Sequence, residues 1–278
     1  MISVVILTKN EVADIGEAIH SVGFSDDVHV FDSLSTDGTQ ALATSLGAQV
    51  HERAFDNYAA QRNASLTVPQ FRYDWLLILD ADERPTPALA TEMLNAVAAA
   101  AAGTDAFRLR RNDYLWGTWL KHAQITPFYT RLVRLGHARY VREVNEVIEV
   151  DGAIRELSAP LNHFPFSKGV AHWVAKHNTY STMEAQLVVS GAAVQQASLR
   201  TAMLGEDRAE RRAAQKALFF QLPLRPVLKW LYMMFVRGAV LDGYAGLTYA
   251  TLQSVYEYLI VLKTRELRRA SSLQMHSK

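Results

Sequence analysis

Two aspartates one residue apart, in Asp80-Ala81-Asp82-Glu83, follow directly on the apolar residues 75–79. Carboxylates crowded at the end of a buried strand are costly unless something neutralises them, and a divalent cation carrying bound phosphates does so. For the tetrapeptide alone, a solvated loop with helix-capping acids ahead of Pro85 is the plainer alternative. Polar groups gather at two further places, however: Thr8, Asn10 and Glu11 after residues 2–7, and Asp32 and Ser33 after residues 28–31. Asp32 can accept a hydrogen bond from a base or a ribose, whereas residues 35–38 read as turn and cap sequence. Arg62, beyond the aromatic turn 55–58, offers a guanidinium to a diphosphate or for stacking on a base.

Such groups can meet only if the strands before them end together. Residues 2–7 are short, β-branched and nearly all apolar, the pattern of a strand covered on both faces. Val12, Ile15, Ala18, Ile19 and Val22 then recur at helical spacing. Residues 28–31 read as a second strand, and Ser35, Thr36 and Asp37 cap a helix through Leu46. Strands over 48–51 and 75–79 alternate with helices over 58–66 and 88–101. This alternation predicts a parallel sheet with helices on both faces, whose ligands bind at the carboxyl edge. Beyond residue 104 the pattern loosens. Residues 106–110, 129–134 and 144–150 read as strands, and 167–189 and 192–221 as helices.

Composition narrows the chemistry further. With 49% hydrophobic and 21% charged residues, the 278-residue chain is neither disordered nor collagen-like. Cysteine is absent, which removes disulfides, thiolate metal sites and cysteine nucleophiles and fits a reducing compartment. There is no Gly-x-Gly-x-x-Gly, no Gly-x-x-x-x-Gly-Lys and no His-Glu-x-x-His, so dinucleotide, P-loop and zinc-protease readings lose their support. The Asp-x-Asp of haloacid-dehalogenase-type phosphatases lies at the first strand, with Thr or Val two residues on. Here the motif follows the fourth strand, and Arg84 takes that place.

The chain resembles a family 2 inverting glycosyltransferase with the GT-A nucleotide-sugar-binding fold. The resemblance is carried by Ile6-Leu7-Thr8-Lys9-Asn10-Glu11, residues 32–39, Gln61-Arg62-Asn63 and Asp80-Ala81-Asp82-Glu83. More narrowly, it is similar to the lipopolysaccharide core transferases that add β-1,4-glucose to heptose. Arg110-Arg111-Asn112, Lys121-His122, Arg131-Leu132, Val144-Asn145-Glu146, residues 176–185 and Leu241-Asp242-Gly243-Tyr244-Ala245-Gly246 support that likeness. The resemblance implies an α/β, Rossmann-like, mostly parallel sheet over residues 1–190 and a helical extension over 191–278. It also implies a UDP-sugar donor held by Thr8, Asn10, Glu11, Asp32, Arg62 and Asp80, and Mg²⁺ or Mn²⁺ on Asp82. The acceptor would be a lipopolysaccharide core or another lipid-linked glycan. Inversion needs a base on the acceptor side. Glu146 takes that role, in a motif that usually reads Val-His-Glu, with Glu143 and Asp113 as alternatives. Arg131 and Arg134 would meet acceptor phosphates, and His163 would orient a loop or the base. Transfer to a polyprenyl phosphate is a rival activity, and a silent nucleotide-sugar-binding scaffold is the non-enzymatic one.

The charge is uneven: residues 1–199 carry a net −6 and residues 200–278 a net +7. Residues 227–241 and 244–262 are apolar and aromatic but interrupted by Lys229, Arg237, Gln253 and Glu257, too broken for a membrane span. With Asp242-Gly243 as a turn and basic residues on both flanks, they suit a helical hairpin in an anionic membrane interface. Packing on the catalytic domain or in a homodimer is the alternative. Nucleic acid fits less well, because the aromatics stand apart from the charge clusters. Residues 2–7 follow directly on Met1, so no cleaved leader is expected. The implied location is the cytoplasm, peripheral on the inner face of the cytoplasmic membrane.

Overall fold

A computed structural model describes residues 1–124, 128–141, 147–190, 211, 214, 215, 218, 219, 222 and 224–276. In chain order the strands are β1 (Ser3–Thr8), β2 (Val28–Asp32), β3 (Gln49–Glu52), β4 (Trp75–Asp80), β5 (Glu83–Pro85), β6 (Thr104–Leu115), β7 (Thr118–Trp119), β8 (Tyr129–Arg134), β9 (Ala138–Val141), β10 (Val147–Val150) and β11 (Ala153–His163). The helices are α1 (Ile15–Ser21), α2 (Thr39–Ser45), α3 (Tyr58–Thr67), α4 (Pro87–Ala98), α5 (Gly169–Val189), α6 (Arg225–Leu231) and α7 (Gly243–His276). A π-helical turn (Tyr232–Val236) and a 3₁₀ turn (Ala239–Asp242) lie between α6 and α7. The chain divides into two compact units, Met1–Tyr114 with Ile125–Ser167, and Leu115–Gln124 with Lys168–Lys278. The expected helix over 192–221 falls almost wholly outside the described residues.

In the first unit the sheet follows the path β3-β2-β1-β4-β8-β6-β11-β5. β1 pairs in parallel with β2 and β4, β2 with β3, and β6 with β11. β8 runs antiparallel between β4 and β6. This is the α/β, mostly parallel sheet that the resemblance implies. Two antiparallel contacts on one strand restore a common direction, so β1, β2, β4, β6 and β11 all end at the same edge.

Both faces of the sheet are covered, as the unbroken apolar runs require. Val4, Ile6, Leu77 and Leu79 face one core with Ile15, Ile19, Leu89 and Met93, while Val5, Phe31, Leu76 and Ile78 face another with Ala59, Val133 and Tyr140. Strand pleating sends alternate residues to opposite cores. Two helices start on side-chain caps: Asn57 accepts from the Ala60 amide at 2.8 Å, and Thr86 from Leu89 at 3.1 Å. In the second unit α7 packs along α5 and α6, and the buried Asp242 accepts from the His122 and Ala123 amides at 2.9 and 2.7 Å.

Near the start of β2, buried His29 donates from Nε2 to Asp27 at 3.0 Å and meets Nε2 of His51 through Nδ1 at 3.0 Å. Only one proton fits between the two rings. Burial and the neighbouring His29 therefore hold His51 below its ordinary pKa of 6.5. Below pH 6.5 the unfolded chain takes up a proton that the folded chain refuses, so this pair loses stability as the pH falls. Comparing His51→Gln with wild type by thermal melting at pH 7.5 and pH 5.5 isolates the effect. Whatever the variant's deficit at pH 7.5, it shrinks at pH 5.5.

Candidate functional site

The polar residues at the common strand edge form two linked groups. The first surrounds Asp32, which is fully buried at the end of β2. Its Oδ1 accepts from the Ser35 amide and Gln40 Nε2, each at 2.7 Å, and its Oδ2 accepts from the hydroxyls of Thr8 and Ser35 at 2.7 and 2.6 Å. Burial alone would raise its pKa, but the donors from Ser35, Gln40 and Thr8 outweigh burial and hold it below the usual carboxylate range. Asp32 thereby organises the loop after β2. Asn10 closes the same loop, with its amide donating to Ser35 Oγ at 2.7 Å and its Oδ1 accepting from the Thr36 amide at 2.8 Å. The Glu11 amide donates to Thr39 Oγ1 at 2.8 Å. Lys9 caps the Ser33 and Leu34 carbonyls at 2.6 and 2.7 Å. Asn10 and Leu34 both have positive φ, 55° and 61°. That left-handed backbone costs about 1–2 kcal/mol per residue and recurs at binding loops.

The second group is ionic. Asp80, at the end of β4, receives Arg62 Nη2 at 2.9 Å on one oxygen and Arg131 Nη2 at 2.8 Å on the other. Arg131 is buried and also donates to Glu83 at 2.7 Å, while Glu83 accepts from the Asp80 amide at 3.1 Å. Arg111 lies 3.6 Å from Glu83 and 3.0 Å from Asp113, its guanidinium over the Tyr129 ring. His163, at the end of β11, joins Asp113 through Nδ1 and lies 3.2 Å from Asp82 through Nε2. Burial favours the neutral imidazole, but the Asp82 and Asp113 carboxylates overcome it and raise the His163 pKa to about 9. Asp80 is driven the other way, well below the carboxylate range, because Arg62 and Arg131 outweigh its burial.

The edge thus brings together Thr8, Asn10, Glu11 and Asp32 in one group and Arg62, Asp80, Asp82, Arg131 and His163 in the other. Arg134 stands elsewhere. Three residues further along β8 it pairs in register with Trp75, at the start of β4, and stacks on that indole. Glu146, with Glu143 and Asn145, lies outside the described residues. Glu83, Arg111 and Asp113 were not singled out as a set by the sequence. Their alternation on β6 and the fourth place of the Asp80–Glu83 tetrapeptide were the available signals.

The metal ligands available are oxygens of Asp80 and Asp82 and Nε2 of His163. Among the described residues no three His, Asp or Glu side chains converge as a complete metal cage. Asp82 and His163 still make a coherent partial set. The ring nitrogen of His163 turned away from Asp82 is taken by a carboxylate, as the second nitrogen of a metal-bound imidazole usually is.

Comparison with known proteins adds the lineage. The model of glycosyl transferase family 2 matches residues 3–147. The chain is 28% identical over 273 residues to the lipopolysaccharide core biosynthesis glycosyltransferase LpsC of Rhizobium meliloti, covering 94% of this chain and 91% of that one. It is 32% identical over 225 residues to an uncharacterized glycosyltransferase of Rickettsia felis, covering 73% and 76%. Among solved structures, glucosyl-3-phosphoglycerate synthase of Mycobacterium tuberculosis, crystallised with Mn²⁺, UDP and glucosyl-3-phosphoglycerate, matches at 25% identity and a TM-score of 0.34. That match spans 40% of this chain and 44% of the synthase.

Removing one member of a buried ionic set leaves its partners uncompensated, which costs about 3–5 kcal/mol. Arg131→Met is expected to lose that much in urea denaturation. Arg139→Met, whose guanidinium and carboxylate partners are all exposed, serves as the control and stays within about 0.5 kcal/mol of wild type.

Proposed function

Because the chain belongs to glycosyl transferase family 2, we propose that it moves a sugar from a UDP-sugar to a lipopolysaccharide-core or other lipid-linked glycan acceptor, inverting the anomeric carbon. The observation that carries this reading is the meeting of the Asp32 loop and the Asp80–Asp82 cluster at one edge of a parallel sheet. The near full-length likeness to a lipopolysaccharide core transferase supports the acceptor class.

In this reading the loop built on Thr8, Asn10, Glu11 and Asp32 holds the uridine, and Arg62 with Asp80 borders the ribose and diphosphate. Asp82 would hold Mg²⁺ or Mn²⁺, with His163 joining it once the ring has given up, in exchange for the cation, the proton that Asp82 and Asp113 keep on it. When bound, the cation supplies Lewis-acid neutralisation of the leaving diphosphate. Asp113 fixes the His163 ring. It is itself buried between His163 and Arg111, which leaves it poorly placed to take a proton from an acceptor. Glu146 remains the proposed base. It accepts the proton of the acceptor hydroxyl as that oxygen bonds to the anomeric carbon and the bond to UDP breaks. No covalent enzyme intermediate forms. Absence of cysteine fits a reducing compartment, and we place the protein on the cytoplasmic face of the membrane that holds its acceptor.

Two variants separate the roles. Asp82→Ala is expected to lose the Mn²⁺-dependent part of UDP binding in calorimetry, together with nearly all transfer. Glu146→Gln is expected to keep UDP affinity while turnover falls by roughly 10²–10⁴-fold. Full turnover in Glu146→Gln would favour an acceptor that is already anionic, such as a polyprenyl phosphate, which needs no base.

A further inference from the structure

In the second unit, the apolar side chains of the carboxyl-terminal helices divide into two faces. Ala245, Tyr249, Ala250 and Ile260 of α7 point inward, with Glu257 buried beside Arg225 at 3.5 Å. On the opposite side Tyr244, Leu247, Val255, Tyr258 and Leu262 recur every three to eight residues and are all exposed. Val227, Leu231 and Phe235 repeat every fourth residue on α6 and the π-helical turn, and are exposed too. The two stripes adjoin, because Trp230 Nε1 donates to Thr251 Oγ1 at 3.2 Å and Ser254 Oγ to the Pro226 carbonyl at 2.8 Å. Between them the turn projects Val236 and Leu241, 74% and 71% exposed.

The turn is held firmly. Asp242 binds the His122 and Ala123 amides and His122 Nδ1, the last at 2.6 Å. Arg237 donates to the His122 and Gln124 carbonyls at 3.3 and 3.2 Å. At Gly246 a Cβ would lie 2.0 Å from the Ala239 carbonyl oxygen, so only glycine allows this approach. The clamp also sets Trp116 flat on Tyr244, with ring centroids 5.7 Å apart. The Leu241–Gly246 motif is therefore accounted for as the support of an exposed apolar tip.

We infer that this face lies in the headgroup region of an anionic lipid leaflet, with the tip around Val236, Leu241 and Tyr244 entering the acyl boundary. No described helix is long and apolar enough to cross a membrane, and amphipathic helices of this kind lie in the interface plane. Tyrosine and tryptophan beside the apolar residues suit that depth. Charge selects the lipid. Asp242 and Glu257 are turned inward, whereas Arg265 and Arg269 continue the α7 stripe outward, with Arg268 exposed beside them and Glu266 as the neighbouring acid. A second copy would bring the same cations, whereas an anionic leaflet brings the opposite charge. The inference rests on the membrane side of the function proposed above and is independent of donor and sugar.

The test is flotation of the full chain with phosphatidylcholine vesicles, with and without phosphatidylglycerol. Binding should favour the phosphatidylglycerol vesicles and weaken between 0.1 and 1 M salt, as the screening length drops from about 10 to about 3 Å. Val236→Ser with Leu241→Ser should lower partitioning about tenfold or more, with the melting temperature and UDP affinity unchanged. Arg265→Gln with Arg268→Gln should weaken the salt-dependent part. Wild-type partitioning of the serine variant would overturn the inference. So would an unchanged partition with a dimer-to-monomer shift in sedimentation, which would assign the face to a second copy. Vesicle binding as expected without any UDP binding would uphold this inference and sink only the transferase reading.

Discussion

Everything at the carboxyl edge depends on balancing charge where strands converge. Asp80, Asp82, Glu83 and Asp113 stand against Arg62, Arg111, Arg131 and His163, and with His163 protonated the set is neutral. A parallel sheet gathers its strand ends, so acids useful for binding gather too and repel one another. The antiparallel β8 answers this by starting where β4 ends, which carries Arg131 between Asp80 and Glu83. One reversed strand thus supplies the buried cation that allows the acids to remain ionised.

The same arrangement separates support from display. Asp32 has all four acceptor positions engaged by the protein, and Asp80 and Glu83 are held by arginines. Asp82 and Asp80 are both partly exposed, but Asp82 has an imidazole rather than arginines as its neighbour. The acid that fixes loop shape is saturated, Asp80 is tied to two arginines, and Asp82 is the acid whose partner, an imidazole, can itself serve an incoming cation. Such pre-arranged polarity needs little reorganisation when a charged ligand arrives.

Much of this was legible in the sequence. β1, β2 and β4 are apolar on both faces, so their runs stand out and their polar exits follow. β11 was not visible, because Pro160 interrupts it, its first residues are exposed, and its register with β6 shifts between Glu156 and Pro160. β5 is three residues long and includes Pro85, too short to carry a periodicity. The ionic set escaped for a different reason: Glu83 and Arg131 are 48 residues apart and Asp113 and His163 are 50 apart, and only strand order brings them together. Sequence spacing groups Arg131 with Arg134, but along β8 those three residues lead from one edge of the sheet toward the other.

The Asp242 clamp has a bearing on how the chain is made. Its partners His122 and Ala123 are synthesised about 120 residues earlier, in a segment that interrupts the first unit in sequence. At a ribosomal pace of about 5–20 residues per second, those amides wait roughly 6–24 s for the carboxylate that satisfies them. The second unit is therefore discontinuous in the gene and late in assembly. Its apolar tip cannot be formed on a nascent chain until Asp242 has followed its partner amides out of the ribosome, which keeps that sticky surface from existing while the first unit is being made.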